Sequence, residues 1–167
     1  PRTATGVKEA TTDPEKVKQW WTKYPNANIG IAAGKASNLV ILDADGLSSL
    51  DYLRNLTLDL TPTVKTGSGK GAQLYFKPWL NKTQNRTRFK TFEGKDGLDL
   101  RGDNGYGILP PSNHISGGVY EWLIPPEEAE VQPAPQWLKN LVEPIKQITK
   151  VVDEVIQEGK RYNTLFS

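Results

Sequence analysis

"LVILDADG", Leu39 to Gly46, is the stretch on which the reading of this chain turns. Four apolar residues, Leu39 to Leu42, read as a buried strand that ends by presenting Asp43 and Asp45. Residues two apart in a strand face the same way, about 6.5–7 Å apart along the chain. Both carboxylates therefore project from one face at the strand's end, where Gly46 lets the chain turn away. Two carboxylates so placed repel each other unless a cation sits between them. Magnesium commonly uses one or two carboxylates together with phosphate oxygens. A solvated turn at a strand end would carry the same residues, so this motif by itself leaves both readings open.

A second strand, "GLDLRGDNGYG", places Asp99 between Leu98 and Leu100. Asp99 and Arg101 share the face that the leucines avoid. A half-buried acid needs a partner, and Arg101 can serve as one. In the functional reading, Asp99 is a third metal ligand and Arg101 contacts phosphate. "VKTGSGKGAQLYF", Val64 to Phe76, invites comparison with a phosphate-binding P-loop, but the pattern fails. Val64 stands where the first glycine belongs and Gly71 where the magnesium-binding hydroxyl belongs. Leu74 to Phe76 then read as a strand, too short before Pro78 to be the required helix. The remaining readings are a tight hairpin turn, or a nest in which Ser68, Gly69, Lys70 and Gly71 offer backbone N–H groups and an ammonium to an anion.

The stretch from Phe76 to Lys95, "FKPWLNKTQNRTRFKTFEGK", carries six Lys or Arg residues against Glu93, with Trp79, Phe89 and Phe92 interleaved. Such a mixture can track a phosphate backbone and stack bases, with Lys82, Arg86, Arg88 and Lys90 as candidate DNA contacts. A charged surface loop has the same composition. The single histidine, His114, lies in "PPSNHISGG", a turn-like context that also admits a role near a triphosphate.

The flanking sequence sets the class. "TTDPEKVKQWWTKYP" opens with Thr12 or Asp13 as N-cap and Pro14 at the first helical position. Val17, Trp20, Trp21 and Tyr24 then recur at helical spacing until Pro25. "NIGIAAG" and "NLVILDADG" read as a hairpin, as do "TVKT" and "AQLYFK". "GLSSLDYLRNL" and "PQWLKNLV" are short helices; "YGILPP" and "GVYEWLI" are strands. The expected class is α/β (α+β), a mixed or antiparallel sheet core with flanking helices.

At 167 residues, 37% of them hydrophobic and five of them tryptophan, the chain supports one domain of ordinary size. A net charge of +2 says little about nucleic acid. With no cysteine there is no disulfide framework or cysteine-based zinc module. No apolar run is long enough to span a membrane and no signal pattern opens the chain, which fits a cytoplasmic location without a membrane partner. The start at Pro1, the absence of methionine and the stop at "EGKRYNTLFS" lead us to expect a piece of a longer polypeptide.

Together these motifs resemble the Prim-Pol family of the archaeo-eukaryotic primase superfamily. "ATTDPEKVKQWWTKYPNANIGIAAGKASNLVILDADG" is similar to its N-terminal signature, "TGSGKGAQLYF" to its second motif and "GLDLRGDNGYGILPPSNH" to its third. "EGKRYNTLFS" resembles the start of the helical segment that comes after the catalytic domain. The resemblance implies a primase-polymerase catalytic domain over 1–143, lacking the family's first strand, and a linker helix (Ile145 to Gln157) opening the next segment over 144–167. It implies that Asp43, Asp45 and Asp99 hold two divalent ions, Mg2+ or Mn2+, for transfer of a nucleotide from NTP or dNTP to a 3′-hydroxyl. Ser68, Gly69, Lys70, Gly71, Gln73, Arg101 and His114 would contact the nucleotide. Implied partners are a DNA template and primer, and a helicase in the same parent chain of a bacterial, archaeal, viral or plasmid replication system. The fragment itself is expected to be monomeric. The family usually has histidine where this chain has Gln73, an uncharged donor and so the weaker one. That departure keeps open a catalytically weakened or inactive nucleotide- and nucleic-acid-binding module of the same fold. "VILDADG" also resembles the haloacid dehalogenase signature, which wants threonine where this chain has Leu47.

Overall fold

The computed structural model describes residues 3–143. The chain divides into two units, residues 1–135 and 136–167. The first holds the sheets; of the second, helix α3 (Gln136–Val142) is described. The linker helix expected after residue 144 lies outside the described residues.

A short 3-10 turn (Gly6–Glu9) precedes helix α1 (Pro14–Lys23). Of the two candidate caps, Thr12 and Asp13, it is Asp13 that caps α1, accepting the Glu15 N–H at 3.0 Å. Strands β1 (Ile29–Ala32) and β2 (Val40–Asp45), helix α2 (Leu47–Arg54), and strands β3 (Thr63–Lys65) and β4 (Gly71–Lys77) come next. Then come β5 (Arg86–Thr91), β6 (Gly97–Arg101), β7 (Tyr106–Leu109), β8 (Glu121–Ile124) and β9 (Gln132–Pro133). The main sheet runs β5-β6-β2-β4-β3-β8, antiparallel throughout, with β9 added parallel to the end of β4. The fold is thus α+β around a seven-stranded, essentially antiparallel sheet.

Strand β2 lies at its centre, between β4 and β6. Its alternation sorts the two faces. Val40, Leu42 and Ala44 point one way with Leu74, Phe76, Leu98 and Leu100, all buried. Helix α2 packs against β2, β4 and β6 and anchors there through Ser49, whose hydroxyl donates to the Asp45 and Gly97 carbonyls. Ile41, Asp43 and Asp45 point the other way. Over the Ile41 end of that face lies a two-stranded ribbon of β1 and β7. At Gly107 the ribbon comes so close that an added Cβ would meet the Ile41 Cδ1 at 2.8 Å. Ala33, Ile41, Val64 and Tyr75 form a second apolar cluster there, backed by Ile31, Leu109 and Trp122.

Two expectations about strands need correction. β1 and β2 do not form a hairpin. They meet through a bridge between Gly34 and Leu39, and β1 pairs with β7 instead. Asp103 sits against Gly34 and accepts the Lys35 N–H at 2.7 Å, so the 33–39 connection wraps around the turn after β6. The basic stretch also contains a strand, β5, at the sheet edge. Its residues 86–88 are exposed, so it shows no apolar alternation by which to recognise it.

Candidate active site

Register brings the three acids together. Asp43 of β2 is the direct cross-strand partner of Asp99 of β6, and Asp45 lies two residues further along the same face. The Arg101 guanidinium reaches back between the first two: Nη2 donates to Asp43 Oδ2 at 3.1 Å and to Asp99 Oδ2 at 2.8 Å. The side chains of Asp43 and Asp99 are 11% and 9% exposed, and that of Arg101 30%. On the other side of Asp43, its β4 partner Gln73 is buried, with Nε2 3.5 Å from Asp43 Oδ1. Gln73 Oε1 accepts the Tyr75 hydroxyl at 3.2 Å.

Electrostatics follow from this crowding. Burial, then the charge of Asp45, pushes Asp43 up to about 6, with Arg101 opposing the rise. Burial and Asp99 raise Asp45 as well. Burial works against the Arg101 charge, but Asp43, Asp99 and Asp45 together hold its pKa above the ordinary value. The Tyr75 and Tyr120 hydroxyls, both raised by burial and then by Asp43, stay protonated beside the acids.

One guanidinium against three carboxylates leaves the cluster with net negative charge. Hard oxygen donors with an electrostatic need for positive charge suit Mg2+ or Mn2+. Among the described residues no three acidic or imidazole side chains converge tightly enough to hold an ion as they stand. The donor chemistry fits, while the position between Asp43 and Asp99 is taken by Arg101.

The glycine-rich turn between β3 and β4 is a closed hairpin. Gly69, in the left-handed region at φ +73°, donates its N–H to the Thr66 carbonyl at 2.9 Å. The Lys70 N–H is taken by Ser68 Oγ at 3.2 Å, and Ser68 also meets Thr66 Oγ1 at 2.9 Å. These two N–H groups are engaged within the turn, whereas Ser68, Gly69 and Lys70 stand exposed at its tip. Gly71 is buried opposite Asp45 in the β2–β4 register, so the tip projects beyond the Asp45 end of the acid face. His114 braces the base of the turn. Its Nδ1 is 2.8 Å from Ser116 Oγ, which donates to the Gly67 carbonyl at 3.1 Å. Gly67 has no room for a side chain, because an added Cβ would lie 2.4 Å from the His114 Cβ.

The four basic candidates separate. Arg88 reaches the acids through its backbone, its N–H lying 2.6 Å from Asp99 Oδ1, while its guanidinium donates to the Lys95 carbonyl at 2.8 Å. Lys90 pairs with Leu98 on the opposite face, with its ammonium 4.6 Å from the centre of the Tyr52 ring and 5.4 Å from that of Phe92. Arg86, the partner of Leu100, is exposed. Lys82 lies at the Arg101 end of β6, where it lines an open depression of about 440 Å³ with Lys35, Asn81, Asp103 and Asn104.

Sequence reading missed Asp103 and Asp96 as organisers. Asp103 accepts the N–H groups of both Lys35 and Thr83; Asp96 accepts the Ser48 N–H at 2.9 Å, at the start of α2. Nothing in their local sequence marks them, since these partners are 20 to 68 residues away and the contacts arise from packing alone.

A mixed sheet with three acids on one face of adjacent central strands, next to a glycine-rich hairpin, defines the setting in which sequence comparison gives a family. The chain belongs to the Prim-Pol family, described as bifunctional DNA primase/polymerase, N-terminal, which matches residues 1–137. No curated protein matches the chain.

Proposed function

We propose that this domain catalyses template-dependent nucleotidyl transfer, joining the α-phosphate of an NTP or dNTP to a primer 3′-hydroxyl with release of pyrophosphate. The observation that carries the reading is the buried Asp43–Asp99 cross-strand pair with the exposed Asp45 beside it, three acids whose combined charge a single arginine does not balance. Asp43, Asp45 and Asp99 would hold two divalent ions, Mg2+ or Mn2+. When bound, such ions stabilise attacking and leaving oxygens together.

The chain's own residues supply position and charge. The rigid centre of the sheet fixes Asp43 and Asp99, and orientation is a large part of what phosphoryl transfer asks of a protein. Arg101 would leave the acids for the triphosphate, a bidentate match for a guanidinium. Lys70 at the hairpin tip would meet the outer phosphates as a point charge, and His114 would brace that tip through Ser116 and Gly67. Tyr75 and Gln73 form a hydrogen-bonded floor under Asp43. Template and primer would run along the basic edge formed by β5 and the depression around Lys82.

A weaker enzyme, or a binding module that retains the fold, is the second reading. It is favoured by Gln73, which meets Asp43 without bringing a charge. Equilibrium titration with a nonhydrolysable nucleotide and Mn2+ tests the common core of both readings. Binding that disappears in Asp99→Ala supports the site; equal binding by that variant removes Asp99 from it.

A further inference from the structure

Strand β5 does not pair evenly with β6. Arg86 stands opposite Leu100 and Lys90 opposite Leu98, so residues 87–89 lie against Asp99 alone. Arg88 is at the centre of this bulge and has φ +49°, a left-handed conformation that side chains other than glycine, asparagine and aspartate rarely adopt. The bulge frees the Arg88 N–H from the strand ladder and aims it at the Asp99 carboxylate, 2.6 Å away. Two further contacts hold the bulge. The Arg88 guanidinium is tied to the Lys95 carbonyl in the turn between the strands, and Gly97 lets Lys90 and Arg88 approach, since an added Cβ there would lie 3.2 Å from the Lys90 carbonyl oxygen.

We propose that Arg88 is a positioning residue for Asp99, acting through its backbone amide rather than through the charge that marks it in the sequence. Asp99 is gripped at both oxygens, Oδ1 by the Arg88 N–H and Oδ2 by Arg101 Nη2. If Arg101 leaves for the triphosphate, the Arg88 amide is the contact that keeps the carboxylate plane aimed into the site. Strained backbone that survives at such a point is paid for by the structure around it. The same residue ties the basic edge strand to a catalytic acid, so displacement of β5 by a bound strand would be felt at Asp99. The proposal rests on the reading of Asp99 as a metal ligand.

Two substitutions separate backbone from side chain. Arg88→Gly removes the charge but accepts positive φ, whereas Arg88→Val opposes it through its branched Cβ. Titrating the 167-residue chain with Mn2+, the valine variant should bind about 10–100-fold more weakly, the usual effect of losing a group that orients a metal ligand, and the glycine variant, which loses the Lys95 tie but accepts the backbone geometry, should be weakened clearly less than valine. Equal weakening in both, or none in valine, would overturn the proposal. A second measurement needs no metal and no variant of Arg88: the residue-88 amide should resist hydrogen exchange in the wild type and lose that protection in Asp99→Ala, while the β2–β6 ladder keeps its own. An unprotected amide in the wild type would overturn the proposal alone. A protected amide in a chain that binds no Mn2+ would overturn the metal-site reading and the proposal with it.

Discussion

Asp43 and Asp99 face each other as direct partners across β2 and β6, and the Arg101 guanidinium bonds one oxygen of each. Opposed like charges in neighbouring strands destabilise a sheet. Here a single cation reconciles them, which makes the pair sensitive to protons and to the loss of Arg101.

Protons come first. Asp43 titrates near 6 in the folded chain against 3.8 as a free side chain. Between those values the folded state keeps a proton that the unfolded state has lost, so this group's contribution to stability is full below 3.8 and falls as pH rises through about 6. The loss amounts to roughly 3 kcal/mol. Without divalent ions, the stability of wild type relative to Asp43→Asn should therefore decline from about pH 4 to about pH 7, as read by urea unfolding. A difference that stays flat or rises with pH would show that Asp43 is not held in this state.

Removing Arg101 takes the ion pair from both carboxylates. Arg101→Met should destabilise the chain by about 2–3 kcal/mol, somewhat less than the loss for a fully buried pair because the guanidinium is partly exposed. Divalent ions should compensate. The rise in Tm on adding Mn2+ should be larger for the variant than for wild type, and an equal or smaller rise would separate Arg101 from the metal position.

At Gln73, histidine would bring a charge-assisted donor to the site in place of an amide. Gln73→His should tighten nucleotide binding several-fold, up to about tenfold, measured by equilibrium titration with Mn2+ present. Weaker binding would place this side chain away from the phosphates.

The apolar face of the sheet has an independent test. Leu100 is fully buried between β2 and β5, opposite Leu42 and Arg86. Leu100→Ala should cost about 2–5 kcal/mol in urea unfolding without changing Mn2+ affinity at temperatures where the chain stays folded.

The sequence made some of this legible and hid the rest for physical reasons. The acid face can be read because strand alternation is local: Leu39 to Leu42 before two acids, and Asp99 between leucines, each declare a face. The cap of α1 and the β3–β4 hairpin are local too. That Asp43 and Asp99 are partners depends on two strands separated by more than about 50 residues, and register across such a gap is set by packing. The β1–β2 pairing misleads because the strand that takes β1 instead, β7, is more than about 70 residues further along the chain. Strand β5 gives no pattern because an exposed edge need not alternate. The role of Arg88 is the least visible, since composition advertises its charge while the structure engages its amide.

Nucleotidyl transfer is tested most directly by incubating the chain with a primed DNA template, NTPs or dNTPs, and Mg2+ or Mn2+, beside Asp45→Ala. Asp45 is exposed at the end of β2, so its loss should leave the fold intact. Template-dependent extension is expected from the wild type, reduced at least about a hundredfold in the variant, the scale expected when a group stabilising the transition state is lost. Extension by Asp45→Ala at the wild-type rate would contradict that expectation.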